Sequence, residues 1–218
     1  MHIDEQTFIY FGCLVVAVIL HEISHGVVAL WFGDRTAKEA GRITLNPVPH
    51  VDPFGSIILP AMGAILAVPV IAWAKPVPVN PRRMRNPRRD MLFVSLAGPF
   101  TNFVLMAGAA LAAREAYLSL DNRFQYRLVT DLPLGVQILF SFAVVNLFLG
   151  LFNLLPIPPL DGSALIERVM PASWIPHYER LRPYGLLVLF LLVFSTGVIS
   201  EFLKPFEQRL FDFVFSVS

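Results

Sequence analysis

Charge is scarce in this sequence. Of its 218 residues, 15% are Asp, Glu, Lys or Arg and 56% are hydrophobic, whereas an ordinary soluble domain is about a quarter charged and half apolar. A mean hydropathy of +0.63 agrees, and favours a polytopic membrane protein over a soluble enzyme with a large core. Cysteine is nearly absent. Cys13 stands alone in an apolar run, which excludes a disulfide framework and a thiolate metal site. The net charge is +1 and no basic stripe is interleaved with aromatics, so the electrostatic footprint of a nucleic-acid binder is missing. Residues 1–7 hold no Lys or Arg. Without a basic n-region the first apolar segment is expected to be retained, not removed as a signal peptide. Repeats, low-complexity linkers and an appended soluble domain are also lacking, so 1–218 reads as a single membrane-embedded domain.

Long apolar runs are what the chain does have. A spanning helix needs about 20 mostly apolar residues, and four stretches qualify: Phe8–Phe32, Met91–Ala113, Leu134–Leu155 and Tyr184–Leu203. A fifth, Ser56–Trp73, is apolar but interrupted by Pro60, Gly63 and Pro69. Turn residues and short Val/Ile/Leu pieces fill 33–55 and suit a small β-hairpin, whose edge could accept an unwound strand. The expected fold is therefore an all-α polytopic membrane protein. It has about four full transmembrane helices, a re-entrant or fifth apolar segment over 56–73, and a small membrane-associated β-hairpin region. The tail 206–217 alternates aromatic and polar residues and is expected at the interface.

The first apolar run contains His21-Glu22-Ile23-Ser24-His25. At 3.6 residues per turn the two histidines stack on one helix face, where two imidazoles can grip one metal ion. Glu22 lies beside the first of them, placed to take a proton from a metal-polarised water. An ionisable residue at mid-bilayer costs roughly 3 kcal/mol on insertion scales, so three in one span point to function. A polar packing cluster or a proton relay is the bland alternative. A further protein ligand must come from elsewhere. Asp161 stands out, because Pro156, Pro158 and Pro159 end the third full span and Gly162 permits a tight turn that can project a carboxylate. A solvated aspartate in a plain helix-ending loop is the competing reading.

His21-Glu22-x-x-His25, Gly98-Pro99-Phe100-Thr101-Asn102 and Asn153 through Gly162 occur in the order seen in the site-2 protease family of intramembrane zinc metalloproteases. Together they resemble its compact prokaryotic branch over roughly residues 8–165. The resemblance implies His21, His25 and Asp161 as ligands of one Zn2+ per chain, with Glu22 as general base. It also implies that Asn153 holds the substrate as an extended strand and that Asn102 stabilises the oxyanion or the substrate backbone. His50 and Asp52 are candidates for a supporting or gating role, or merely a polar turn. His177 reads as a surface-loop histidine. The PDZ and CBS domains of larger members are not in this sequence, so gating through them does not carry over. The implied substrate is a transmembrane protein, the setting a prokaryotic plasma membrane. A metal-binding or transport protein and a non-catalytic pseudoprotease are the alternatives.

Parity constrains the topology. The end of the first span, the start of the second and the end of the third must share one side for these motifs to meet. That requires 56–73 to re-enter rather than cross, or the residues before it to dip in as well; an ordinary loop plus one crossing helix is the alternative. Most of the Arg and Lys, including the cluster from Arg82 to Arg89, then falls on the shared side, which the positive-inside rule assigns to the cytoplasm.

Overall fold

The computed structural model describes residues 5–66, 73–120, 129–194 and 197–216. Helix α1 (Glu5–Trp31) contains no proline and runs unbroken for 27 residues. Its end is set by Gly33 at φ +104, a conformation glycine adopts without strain, and the amides of Gly33 and Asp34 bond back to Leu30 and Ala29. After the single turn α2 (Thr36–Glu39) and the short helix α3 (Leu59–Leu66), α4 (Pro87–Leu118) opens on a proline. Proline suits the first helical position, where its missing N–H is not needed. Then come α5 (Leu134–Asn153), α6 (Ser163–Val169), α7 (Ile175–Phe194) and α8 (Val198–Phe215).

Helices α1, α4 and α5 pack side by side through small residues. Ala109, Ala110, Ala113 and Ala143 lie buried with Phe140 and Leu147, and Cys13 and Ala17 meet Val145. Small residues let backbones approach closely where lipid offers no hydrophobic drive to associate. The outward faces are equally apolar: Phe8 and Phe11 on α1 are each 65% exposed and Phe100 on α4 is 68% exposed. Helices apolar on all sides belong in a bilayer. Among the described residues three helices, α1, α4 and α5, are long and apolar enough to cross one, or four spans if α7 and α8, bent by 66°, count as one. The expected span 184–203 is thus divided at Gly197, which sits at φ +64. The described part of the tail belongs to α8, whose Leu210 and Val214 are buried against α4 and α5.

The β-hairpin expected in 33–55 does not form, and no strand occurs among the described residues. A ladder needs a regular row of donors. Pro47, Pro49 and Pro53 remove three, while the amides of Phe54 and Gly55 are taken by the Asp52 carboxylate at 3.1 and 2.6 Å. The amide of His50 closes a turn onto Pro47. The apolar stretch that follows begins and ends in one place. Trp73 N donates to Gly55 O (3.3 Å) and Ser56 Oγ to Trp73 O (2.8 Å), with Gly55 leaving the space a Cβ would take from the Trp73 ring. Ends that meet exclude a single crossing. The end of α1 and the start of α4 therefore lie on one side of the bundle, together with the end of α5.

Segment 74–80, between this stretch and α4, is tied down from several directions. Lys75 N donates to His50 O, and a buried Arg42 donates to Lys75 O. Fully buried Asp34 accepts from Asn80 N at 2.6 Å as well as from the amide and hydroxyl of Thr36. Burial alone would raise its pKa. The hydrogen bonds from Thr36 and Asn80, with the charge of Arg83, outweigh that and hold it below the usual 3.8. A lowered folded-state pKa contributes stability that is complete above the unfolded value and disappears as pH falls through the folded one. Asp34→Asn should therefore lower the thermal midpoint at pH 7. The gap from wild type should close below about pH 4, as read from unfolding scans of the two proteins in detergent across that range.

Candidate metal centre

His21 and His25 project from the same face of α1 and are 6% and 9% exposed. Asp161 reaches them from the turn after α5. That turn is built by sequence: Pro156, Pro158 and Pro159 stop the helix, and Gly162 N donates to Asn153 O at 2.6 Å. A Cβ on Gly162 would collide with the Leu154 carbonyl. Arg88, at the start of α4, holds the next element by donating to the carbonyls of Glu167, Arg168 and Met170.

Three atoms converge: His21 Nε2 lies 3.0 Å from His25 Nε2 and 3.1 Å from Asp161 Oδ2, and His25 Nε2 lies 3.4 Å from Asp161 Oδ2. The opposite ring nitrogens are engaged. His21 Nδ1 is 2.6 Å from Asn102 Oδ1, and His25 Nδ1 is 2.6 Å from the carbonyl oxygen of Val94. Both partners accept, so each neutral imidazole carries its proton on Nδ1 and presents a lone pair at Nε2. Asp161 Oδ2 is buried and makes no hydrogen bond. Three acceptors facing one another in a buried site repel unless a cation lies among them. Donors on a tetrahedral zinc at about 2.0–2.2 Å stand about 3.4 Å apart, and two nitrogens with one carboxylate oxygen are a set that zinc favours. The residues fit the ion.

Glu22, one residue on from His21, accepts the N–H of Val77 through Oε2 at 2.7 Å. Segment 74–80 can come this close because α1 carries Gly26: a Cβ there would lie 3.3 Å from Val77 and 3.1 Å from Ala37. With Pro76 and Pro78 on either side, Val77 offers the only N–H of its tripeptide. This contact has no local sequence signal beyond those prolines. Gly98 of α4 faces the imidazoles, where a Cβ would lie 2.5 Å from His21 Nε2 and 2.6 Å from His25 Nε2. Pro99 within the same helix supplies no N–H, which frees its turn from strict helical bonding.

The other sequence candidates lie around this cluster. Asn102 is fully buried behind His21. Asn153 ends α5 with its side-chain amide on Leu149 O. His50, 3% exposed, bonds Thr44 O through its side chain and Lys75 N through its carbonyl, and Asp52 caps the turn at 53–58.

Apolar helices of bilayer length around two imidazoles and a carboxylate define an integral membrane metalloprotein. Peptidase family M50 matches residues 131–196. The chain is 39% identical over 194 residues to "Putative zinc metalloprotease YwhC" of Bacillus subtilis, covering 88% of this chain and 82% of that protein. It is 36% identical over 206 residues to "Putative zinc metalloprotease Rip2" of Mycobacterium tuberculosis (91% and 71% covered), and 23% identical to "Zinc metalloprotease MJ0392" of Methanocaldococcus jannaschii (76% and 35%). No solved structure matches it. The chain belongs to peptidase family M50, the site-2 proteases. In purified protein, Gly98→Ala should displace the imidazoles and reduce bound metal at least tenfold. Gly108→Ala, with nothing within 4 Å, should leave metal content unchanged.

Proposed function

We propose that this protein is an intramembrane zinc endopeptidase that hydrolyses peptide bonds in transmembrane or membrane-proximal segments of other proteins. One observation carries the reading: two imidazole nitrogens and a carboxylate oxygen converge in a bundle of spanning helices, one residue from a second carboxylate. His21 and His25, through Nε2, and Asp161, through Oδ2, would hold the ion and leave a fourth position open, as catalytic zinc sites do. Bound there, zinc would polarise a scissile carbonyl and make a water acidic enough to attack it near neutral pH.

The remaining steps fall to the chain. Glu22 is the general base. Val77 N–H fixes one of its oxygens, leaving the other to take a proton from the attacking water and later deliver it to the departing amine. Nδ1–H donation to Asn102 and Val94 keeps both imidazoles turned toward the centre. Asn153, with its amide N–H on Leu149, keeps its Oδ1 to accept from the backbone of an extended substrate. A substrate helix must unwind to expose its peptide bond, so helix-breaking residues near the cut should speed cleavage. The Arg82–Arg89 cluster orients the centre toward the cytoplasmic side of the membrane.

The test uses detergent-purified protein and a transmembrane reporter with a helix-breaking residue. Wild type is expected to cleave, and Glu22→Gln to keep about one zinc per chain while losing roughly 10²–10⁴-fold in rate. His21→Ala and Asp161→Ala should lose the metal itself. Undiminished cleavage by Glu22→Gln would remove Glu22 from the mechanism. Zinc held with no cleavage of any such reporter by wild type would turn the assignment toward metal binding or transport.

A further inference from the structure

Behind His21 runs a chain of hydrogen bonds with a forced direction. It starts on α5, where Asn146 Nδ2 donates to the backbone carbonyl of Phe142 at 2.8 Å. A carbonyl only accepts, so this amide has one permitted orientation, with its Oδ1 turned toward α4. That oxygen accepts from Asn102 Nδ2 at 2.8 Å. The second amide is thereby oriented as well, and its Oδ1 faces His21 Nδ1 at 2.6 Å. Asn102 and Asn146 are both fully buried, where an amide turned the wrong way would set oxygen against oxygen and nitrogen against nitrogen with no water to relieve it.

We infer that Asn146 and Asn102 form a one-way relay that fixes the tautomer and orientation of His21, so that a backbone carbonyl on α5 decides which imidazole nitrogen is offered to the metal. Both are positioning residues, and Asn146 acts without touching His21. The inference rests on His21 being a ligand. The relay also gives Asn102 an occupation away from any substrate: its oxygen and its nitrogen each hold a partner inside the bundle, and its side chain is fully buried. His25 needs no such device, since its Nδ1 meets the Val94 carbonyl directly.

A double-mutant cycle on zinc affinity tests this, using the full-length protein in detergent and competition with a chromophoric chelator. Asn102→Leu should weaken zinc binding about 10–100-fold, the usual effect of losing the partner behind a metal-bound histidine. Asn146→Leu should cause part of that loss. The double variant should be no weaker than Asn102→Leu alone, because a relay cut at its nearer link gains nothing from its farther one. Asn102→Asp keeps an acceptor on Nδ1 but sets its second oxygen against Asn146 Oδ1, so it should lose affinity by itself and recover most of it when combined with Asn146→Leu. The thermal midpoint of the metal-free protein is measured alongside, and Asn146→Ala replaces Asn146→Leu if the latter does not fold. Unchanged affinity in the single variants, additive losses in the double variant, or losses matched by collapse of the metal-free fold each overturn the relay. Failure of wild type to bind zinc would instead overturn the reading of the site on which it rests.

Discussion

Two imidazole nitrogens and a carboxylate oxygen, each presenting a lone pair, are held within 3.4 Å of one another. Inside a bundle of low polarity that arrangement is repulsive while both imidazoles are neutral and no cation lies among them, and much of the structure serves to maintain it. Gly98 leaves the space the rings occupy, Val94 and Asn102 turn them, and the proline-stopped turn after α5 swings Asp161 over them. A site that must be held against its own repulsion is preorganised for a cation. The same rigidity suits a reaction in which the ion and the proposed base have to keep their separation while a peptide passes between them.

What the sequence made legible was mostly local. The four-residue spacing of His21 and His25 is a helical period, and it placed them on one face. Three prolines and a glycine around Asp161 announced irregular backbone at the end of a span. Parity, a global argument, required the apolar stretch 56–73 to come back to its starting side, and the Gly55–Trp73 bond joins its described ends. The region 33–55 was misread because short Val, Ile and Leu pieces have strand propensity. Propensity could not supply the donors that Pro47, Pro49 and Pro53 lack. The bond from Val77 to Glu22 was not legible at all, since it joins positions 55 residues apart through the path of a folded loop. The role of Asn102 was equally hidden: the motif marked the residue, but whether its amide faces a substrate or a histidine depends on where α5 packs.

The 74–80 segment shows how a loop can be made as definite as a helix. Alternating prolines limit its conformations, and three of its five remaining amides have assigned acceptors: Lys75 on His50, Val77 on Glu22 and Asn80 on Asp34. Asp34 is therefore linked to the chemistry without touching it, because it anchors the far end of the segment whose middle holds Glu22.

The donors come from α1 and from residue 161, and the groups that orient them come from α4 and α5. During synthesis α1 enters the membrane long before the others exist, carrying two imidazoles with nothing to bond. The centre cannot close until residue 161 has emerged and α5 has packed against its neighbours. The three donors are thus apart in a nascent chain, and come together only when its bundle is nearly whole.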